Sequence, residues 1–197
     1  MILDVKDIAK MMDLSCVRTY SDEKDIKQLA ENAIKYNIGQ VSVMQTFIEE
    51  MKKLLSTRPD IKIIGNVSFP SGADSTSIKV LQTKELIQAG CHEIDVVANI
   101  GKLRSKRYSE VEEDIKAVVN AASNVPVKVI IEISCLDNIE EIEKVCEICI
   151  NAGATFVKTG TGWLPKPTTI EDVKLLKKIV GDRIKIKASG GIRDLKT

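Results

Sequence analysis

The sequence predicts an α/β fold, a (β/α)8 barrel with its last strand missing, on three observations. Strand-like and helix-like segments alternate from one end of the 197 residues to the other, which calls for a parallel sheet with helices outside it. Two strand-like runs end in a lysine followed by small residues: Phe156-Val157-Lys158-Thr159-Gly160-Thr161-Gly162 and Ile184-Lys185-Ile186-Lys187-Ala188-Ser189-Gly190-Gly191. A barrel strand delivers a reactive side chain to its C-terminal rim in this way, and small residues let backbone N–H groups approach a ligand. No Gly-x-Gly-x-x-Gly turn follows the first strand, so the doubly wound open sheet, the structural alternative, lacks its usual mark.

Residues 11–16 read as a short strand. Ser21 opens a helix, because Ser21-Asp22-Glu23-Lys24 is close to a capping box and Ile26, Leu29, Ala30, Ala33 and Ile34 follow at helical spacing. Residues 40–44 form the next strand. Phe47, Met51, Leu54 and Leu55 mark a helix that stops near Pro59. A β-rich run over 61–67 leads into the loop 68–72, and the helix over 76–89 ends at Gly90. The strand over 92–98 carries Asp95, and an amphipathic helix covers 108–122. Residues 127–133, Val-Lys-Val-Ile-Ile-Glu-Ile, are the strongest strand signal. A helix over 139–152 stops at Gly153, the Lys158 strand follows, and a helix over 169–180 precedes the Lys187 strand. That gives about seven strand-then-helix units against the eight of a closed barrel. No linker or low-complexity tract interrupts them, so 1–197 reads as a single barrel domain. It reads as C-terminally incomplete, because the chain stops where the helix after the Lys187 strand should begin.

Composition narrows the function. The chain is 44% hydrophobic and 29% charged with a net charge of +1, so it carries no nucleic-acid footprint. No apolar run reaches transmembrane length and Met1-Ile2-Leu3-Asp4 is no signal peptide, so no membrane partner is expected. Five cysteines are an odd number without a dense framework, which fits reduced thiols in a cytoplasm. Cys146 and Cys149 have CxxC spacing but lie mid-helix, which favours a structural role. A single histidine, His92, leaves little material for a histidine metal cage or a Ser-His nucleophile. It reads as a turn residue.

A lysine attacks a carbonyl only when part of it is neutral, a condition that burial and a neighbouring cation both promote. The Schiff base it forms is an electron sink, and it stabilises the carbanion or enamine that aldol addition or cleavage needs. Asp95, an acidic residue inside the apolar run Glu93-Ile94-Asp95-Val96-Val97, can relay protons. Lys185 shares strand parity with Lys187 and reads as part of an ion pair lower in the barrel, with Glu93 as partner. Trp163 reads equally as a lid over the site or as rim packing. Lys102, Arg104, Lys106 and Arg107 read as a solvated loop.

Four stretches in order carry a resemblance: Glu93-Ile94-Asp95-Val96-Val97 with Asn99-Ile100-Gly101, Lys128-Val129-Ile130-Ile131-Glu132, Gly153 through Gly162, and Lys187-Ala188-Ser189-Gly190-Gly191-Ile192-Arg193. Together they resemble the deoxyribose-phosphate aldolase family across nearly the whole chain. The resemblance implies a class I aldolase on a TIM barrel, with no metal and no cofactor. Its substrates would be a small phosphorylated sugar and an aldehyde: 2-deoxyribose 5-phosphate cleaved to glyceraldehyde 3-phosphate and acetaldehyde. By position, Lys158 falls on the Schiff-base lysine, Lys187 on the second lysine that tunes it, and Asp95 on the proton-relay aspartate. Thr161, Gly162, Gly190 and Gly191 fall on backbone at the substrate and phosphate end, and Asp13 falls in the family's first strand on the substrate side.

Gly160 stands where the family usually has serine, Ser42 where it commonly has cysteine, and Ile133 where it has threonine. These departures motivate one alternative, a related Schiff-base aldolase of another phosphorylated sugar, and the missing last strand motivates a second, a catalytically inactive phospho-sugar-binding barrel. The sequence leaves the oligomeric state open, with a homodimer as one option.

Overall fold

Helix starts are set by side chains that accept the first free backbone N–H groups. Asp22, one residue later than expected, caps helix α2 (Glu23–Lys35), and Asp25 completes the capping box. Ile26, Leu29, Ala30 and Ala33 then bury one face of that helix. Asn138 caps α7 (Ile139–Asn151), and Thr169 with Asp172 forms another capping box at α8 (Ile170–Val180).

The computed structural model describes residues 4–193. It shows an α/β fold with seven parallel strands in chain order. The described residues divide into two compact units, one of residues 4–66 and 85–94, the other of 67–84 and 95–193.

The first unit holds α1 (Val5–Met11), β1 (Asp13–Cys16), α2, β2 (Gln40–Val43), α3 (Ile48–Leu54) and most of β3 (Lys62–Val67). Asp13 pairs with Gln40 and Cys16 with Val43, and Gln40 to Ser42 pair with Lys62 to Ile64. Glu93 accepts from the side chains of Gln40 at 2.6 Å and Lys62 at 3.2 Å. His92 lies at the turn, as expected, and its Nδ1 accepts the Ile63 N–H at 3.1 Å. Ser42 and Asn66 share hydrogen bonds on neighbouring strands.

The second unit holds most of α4 (Thr76–Gln88), β4 (Glu93–Val97) from Asp95 onward, α5 (Ile100–Arg104), α6 (Tyr108–Ala122), β5 (Val127–Ile130), α7, β6 (Phe156–Lys158), α8 and β7 (Lys185–Lys187). Every residue of β4 and β5 is buried, as befits parallel strands covered on both faces. Lys79 of α4 is fully buried behind β4. Its ammonium lies 2.5 Å from Asp114 of α6 and donates to the Val97 carbonyl at 3.1 Å. Asp114 also accepts from the Thr76 hydroxyl, so this charge pair clamps the end of the strand that carries Asp95.

Three local features differ from the sequence expectation. Helices α1 and α5 are too short, at 7 and 5 residues, to show a helical period. The basic cluster expected as a loop lies partly on α5 and is neutralised locally, Lys102 and Arg107 by Glu110 and Arg104 by Asp137. Strand β5 ends at Ile130 because Glu132 is left-handed, φ 46° and ψ 59°, and starts a 3-10 turn over Ile133–Cys135. No helix among the described residues is long and apolar enough to cross a membrane.

Candidate active site

Strand β4 brings Asp95 into a fully buried position. One carboxylate oxygen accepts from the Lys158 ammonium at 2.5 Å, and the other accepts from Lys128 at 3.2 Å. The three side chains are 0–9% exposed. Burial pushes the Asp95 carboxyl up, but the Lys158 and Lys128 charges beside it pull further the other way and hold it below the ordinary range. Asp95 is therefore a carboxylate flanked by two cations.

Strand register sets the rest. Ile130, Lys158 and Lys187 are ladder partners across β5, β6 and β7. Partnered residues of parallel strands share a face, so Lys187, half-buried, stands beside Lys158 at the same height. One step lower on the same face, Lys128, Phe156 and Lys185 are partners. The Lys128 and Lys185 ammonium groups lie 5.9 Å and 5.3 Å from the Phe156 ring centre, within cation–π range. Lys185, expected in an ion pair, rests on this aromatic ring instead.

Above the lysines the two Gly-containing loops interlock. The buried Glu132 carboxylate accepts both the backbone N–H and the hydroxyl of Thr161. Gly160 leaves room for it: an added Cβ would sit 2.8 Å from Glu132 Oε1, so the carboxylate would have to shift. Gly162 and Gly190 have positive φ, 74° and 98°, and a Cβ added to either would meet the other's backbone at 3.4 Å; at Gly191, φ 79°, an added Cβ would lie 2.5 Å from Pro167 Cβ. The Trp163 ring meets Phe69 edge-on at 6.2 Å, which is rim packing.

The structure thus joins Asp95 to Lys158, sets Lys187 in register with Lys158 and groups Thr161, Gly162, Gly190 and Gly191 at one loop junction. The Thr161 donors expected to face a ligand are engaged by Glu132. Asp13 lies half-buried at the start of β1, in the first unit. Sequence reasoning missed Lys128 and Glu132. Lys128 had a signal, a lone charge inside a strongly apolar strand; the left-handed turn of Glu132 had none. Cys146 and Cys149 are buried in α7, and burial pushes the Cys146 thiol to about 12 and Cys149 well above its ordinary value, so they are core residues.

The sequence model of the DeoC/LacD family aldolases matches residues 7–197. The deoxyribose-phosphate aldolase of Klebsiella pneumoniae subsp. pneumoniae is 43% identical over 191 residues, 96% of this chain and 76% of that protein. That of Clostridium perfringens (strain SM101 / Type A) is 42% identical over 194 residues, 98% of this chain and 86% of that protein. The solved structure of QR15, an aldolase, aligns with a TM-score of 0.89 at 37% identity, covering 96% of this chain and 84% of that one.

Proposed function

The chain belongs to the DeoC/LacD family of aldolases, and from that membership we propose that it cleaves 2-deoxy-D-ribose 5-phosphate to D-glyceraldehyde 3-phosphate and acetaldehyde through a lysine imine. Lys158 passes its ammonium proton to the relay of Asp95 and a water, the freed amine adds to the open-chain aldehyde, and the relay returns that proton as water leaves, giving a protonated imine. The 3-hydroxyl gives up its proton and the C2–C3 bond breaks, its electron pair passing into the imine as an enamine. Glyceraldehyde 3-phosphate departs, the enamine takes a proton at C2, and water releases acetaldehyde. Asp95, with a water, carries the protons at C2 and at the 3-hydroxyl. Lys187 adds positive charge beside Lys158, which favours the neutral, nucleophilic amine. Thr161, Gly162, Gly190, Gly191 and Asp13 contribute to holding the sugar and its phosphate.

The observation that carries this reading is the Asp95–Lys158 contact on a face that Lys187 shares. Borohydride added with acetaldehyde should leave one ethyl group on Lys158, and Lys158→Ala should take no label. Labelling confined to Lys187 would overturn the assignment.

A second substrate reading rests on Thr161, whose N–H and hydroxyl serve Glu132. If those donors stay engaged, another phosphorylated sugar would fit the rim better, and cleavage assays over a panel of phosphorylated sugars separate the two. The fold proposal is finer than seven strands: a (β/α)8 barrel read as one domain, supported by the likeness to QR15. Five free cysteines support a reducing cytoplasm as its place.

A further inference from the structure

Past Lys158 and Lys187 the β6–β7 backbone ladder gives way to side chains. Thr159 N–H donates to the Lys187 carbonyl at 3.1 Å. The next donor, Ser189 N–H, goes to the Thr159 hydroxyl oxygen at 2.8 Å instead of a carbonyl. The Ser189 carbonyl lies within reach of two hydroxyls, Thr159 at 2.8 Å and Thr168 at 2.5 Å, which are themselves 2.9 Å apart. Each hydroxyl has a single hydrogen and a carbonyl has two lone pairs. Both hydrogens therefore fit on Ser189, leaving the Thr159 oxygen free to accept Ser189 N–H. Ser189 Oγ closes the lattice by donating to the Gly160 carbonyl at 2.6 Å, and Thr168 N–H donates to the Gly190 carbonyl at 3.0 Å.

The placement of this lattice matters. Thr159 follows Lys158 directly and is fully buried. Ser189 is two residues beyond Lys187. Thr168 comes from the far end of the β6–α8 loop and precedes Thr169, the cap of α8. One hydroxyl cluster therefore ties the ends of both lysine strands to the start of the following helix. Imine formation depends on holding the amine in a near-attack geometry, and small misplacements are expensive.

We infer that Thr168 and Ser189 are positioning residues. They lock the rim ends of β6 and β7 together so that the Lys158 amine stays placed for imine formation beside Lys187. This rests on the imine reading above, and the test separates the two. Borohydride trapping with acetaldehyde on the unaltered protein comes first; failure to label Lys158 there removes the imine reading itself.

With that label in place, Thr168→Val, which keeps the shape and deletes the hydroxyl, should lower kcat and the rate of trapping about tenfold. KM should stay within about twofold, and Thr168→Ser should restore kcat to within about twofold, because the lost term lies in positioning and not in binding. Unchanged kcat in Thr168→Val, a rise confined to KM, or no rescue by serine overturns the inference. Should Thr168→Val fail to fold, Ser189→Ala removes only the link to Gly160 and must show the same loss in kcat at steady KM. Wild-type kcat in Ser189→Ala would then overturn it.

Discussion

Replacing Asp95 with asparagine keeps the shape of the side chain and deletes the charge that faces two buried ammonium groups. Lys128 and Lys158 lie 3.2 Å and 2.5 Å from its two oxygens, with side chains 1% and 9% exposed. Removing one partner of a buried ion pair costs about 3–5 kcal/mol, because the remaining charge stays desolvated and unpaired. For a chain of this size that lowers Tm by roughly 6–20 °C. Urea unfolding at pH 7, followed by circular dichroism, measures it directly. The pH dependence supplies a second check. The folded Asp95 carboxyl is held below its ordinary range, burial being outweighed by the two lysines. Its stabilisation is therefore full above an unfolded value of about 3.9 and is lost as pH falls through the lower folded value. The gap between wild type and Asp95→Asn should be complete at pH 7 and close in acid below about pH 4. The double variant Asp95→Asn with Lys128→Met should recover part of the loss, since one stranded cation is gone. A loss under about 1 kcal/mol, the size of an exposed pair, would refute the reasoning.

Gly160→Ala should destabilise by about 1–3 kcal/mol, as overpacking does, because the new methyl would meet Glu132 Oε1 at 2.8 Å. The penalty should vanish in a Glu132→Ala background, and thermal melts of the four proteins check it. Lys79→Ala strands the buried Asp114 and should cost about 3–5 kcal/mol, whereas Lys79→Met with Asp114→Leu should regain most of it; urea midpoints decide. Cys146, its thiol pushed up to about 12 by burial, and the fully buried Cys149 should resist a thiol-disulfide reagent at pH 8 until urea unfolds the chain. Rapid labelling of Cys146, mapped by mass, would contradict the burial argument.

Lys158 and Lys187 were legible because the signal is local: a strand period, a terminal lysine, then residues without bulk. Their mutual register follows once both strands are parallel neighbours. The Asp95–Lys158 contact spans 63 residues, and only the fold brings its ends together. Lys128 shows why strand parity is an incomplete guide. Alternation says that Lys128 and Ile130 share a face, but β5 is buried on both faces, so apolar pattern alone does not say which face holds the charges. Glu132 was hidden for another reason. A non-glycine residue at φ 46° is uncommon, so the apolar run predicted strand through residue 133 where the chain turns at 132. Short helices α1 and α5 escaped because five to seven residues do not complete two turns.

The layering on that face gives Lys128 a reason to exist. In the proposed cycle Lys158 must shed its ammonium proton before it attacks, and at that moment Asp95 loses one of its two cations. A buried carboxylate left alone is driven toward its neutral form, which would end its use as a proton carrier. Lys128 stays 3.2 Å from the other oxygen and keeps the charge compensated through the step. It is held two ladder positions below Lys158, against the Phe156 ring, a place from which it would support Asp95 without competing for the aldehyde. In that proposed cycle the same strand spacing would separate two lysines of identical chemistry into a nucleophile at the rim and a counter-ion beneath it.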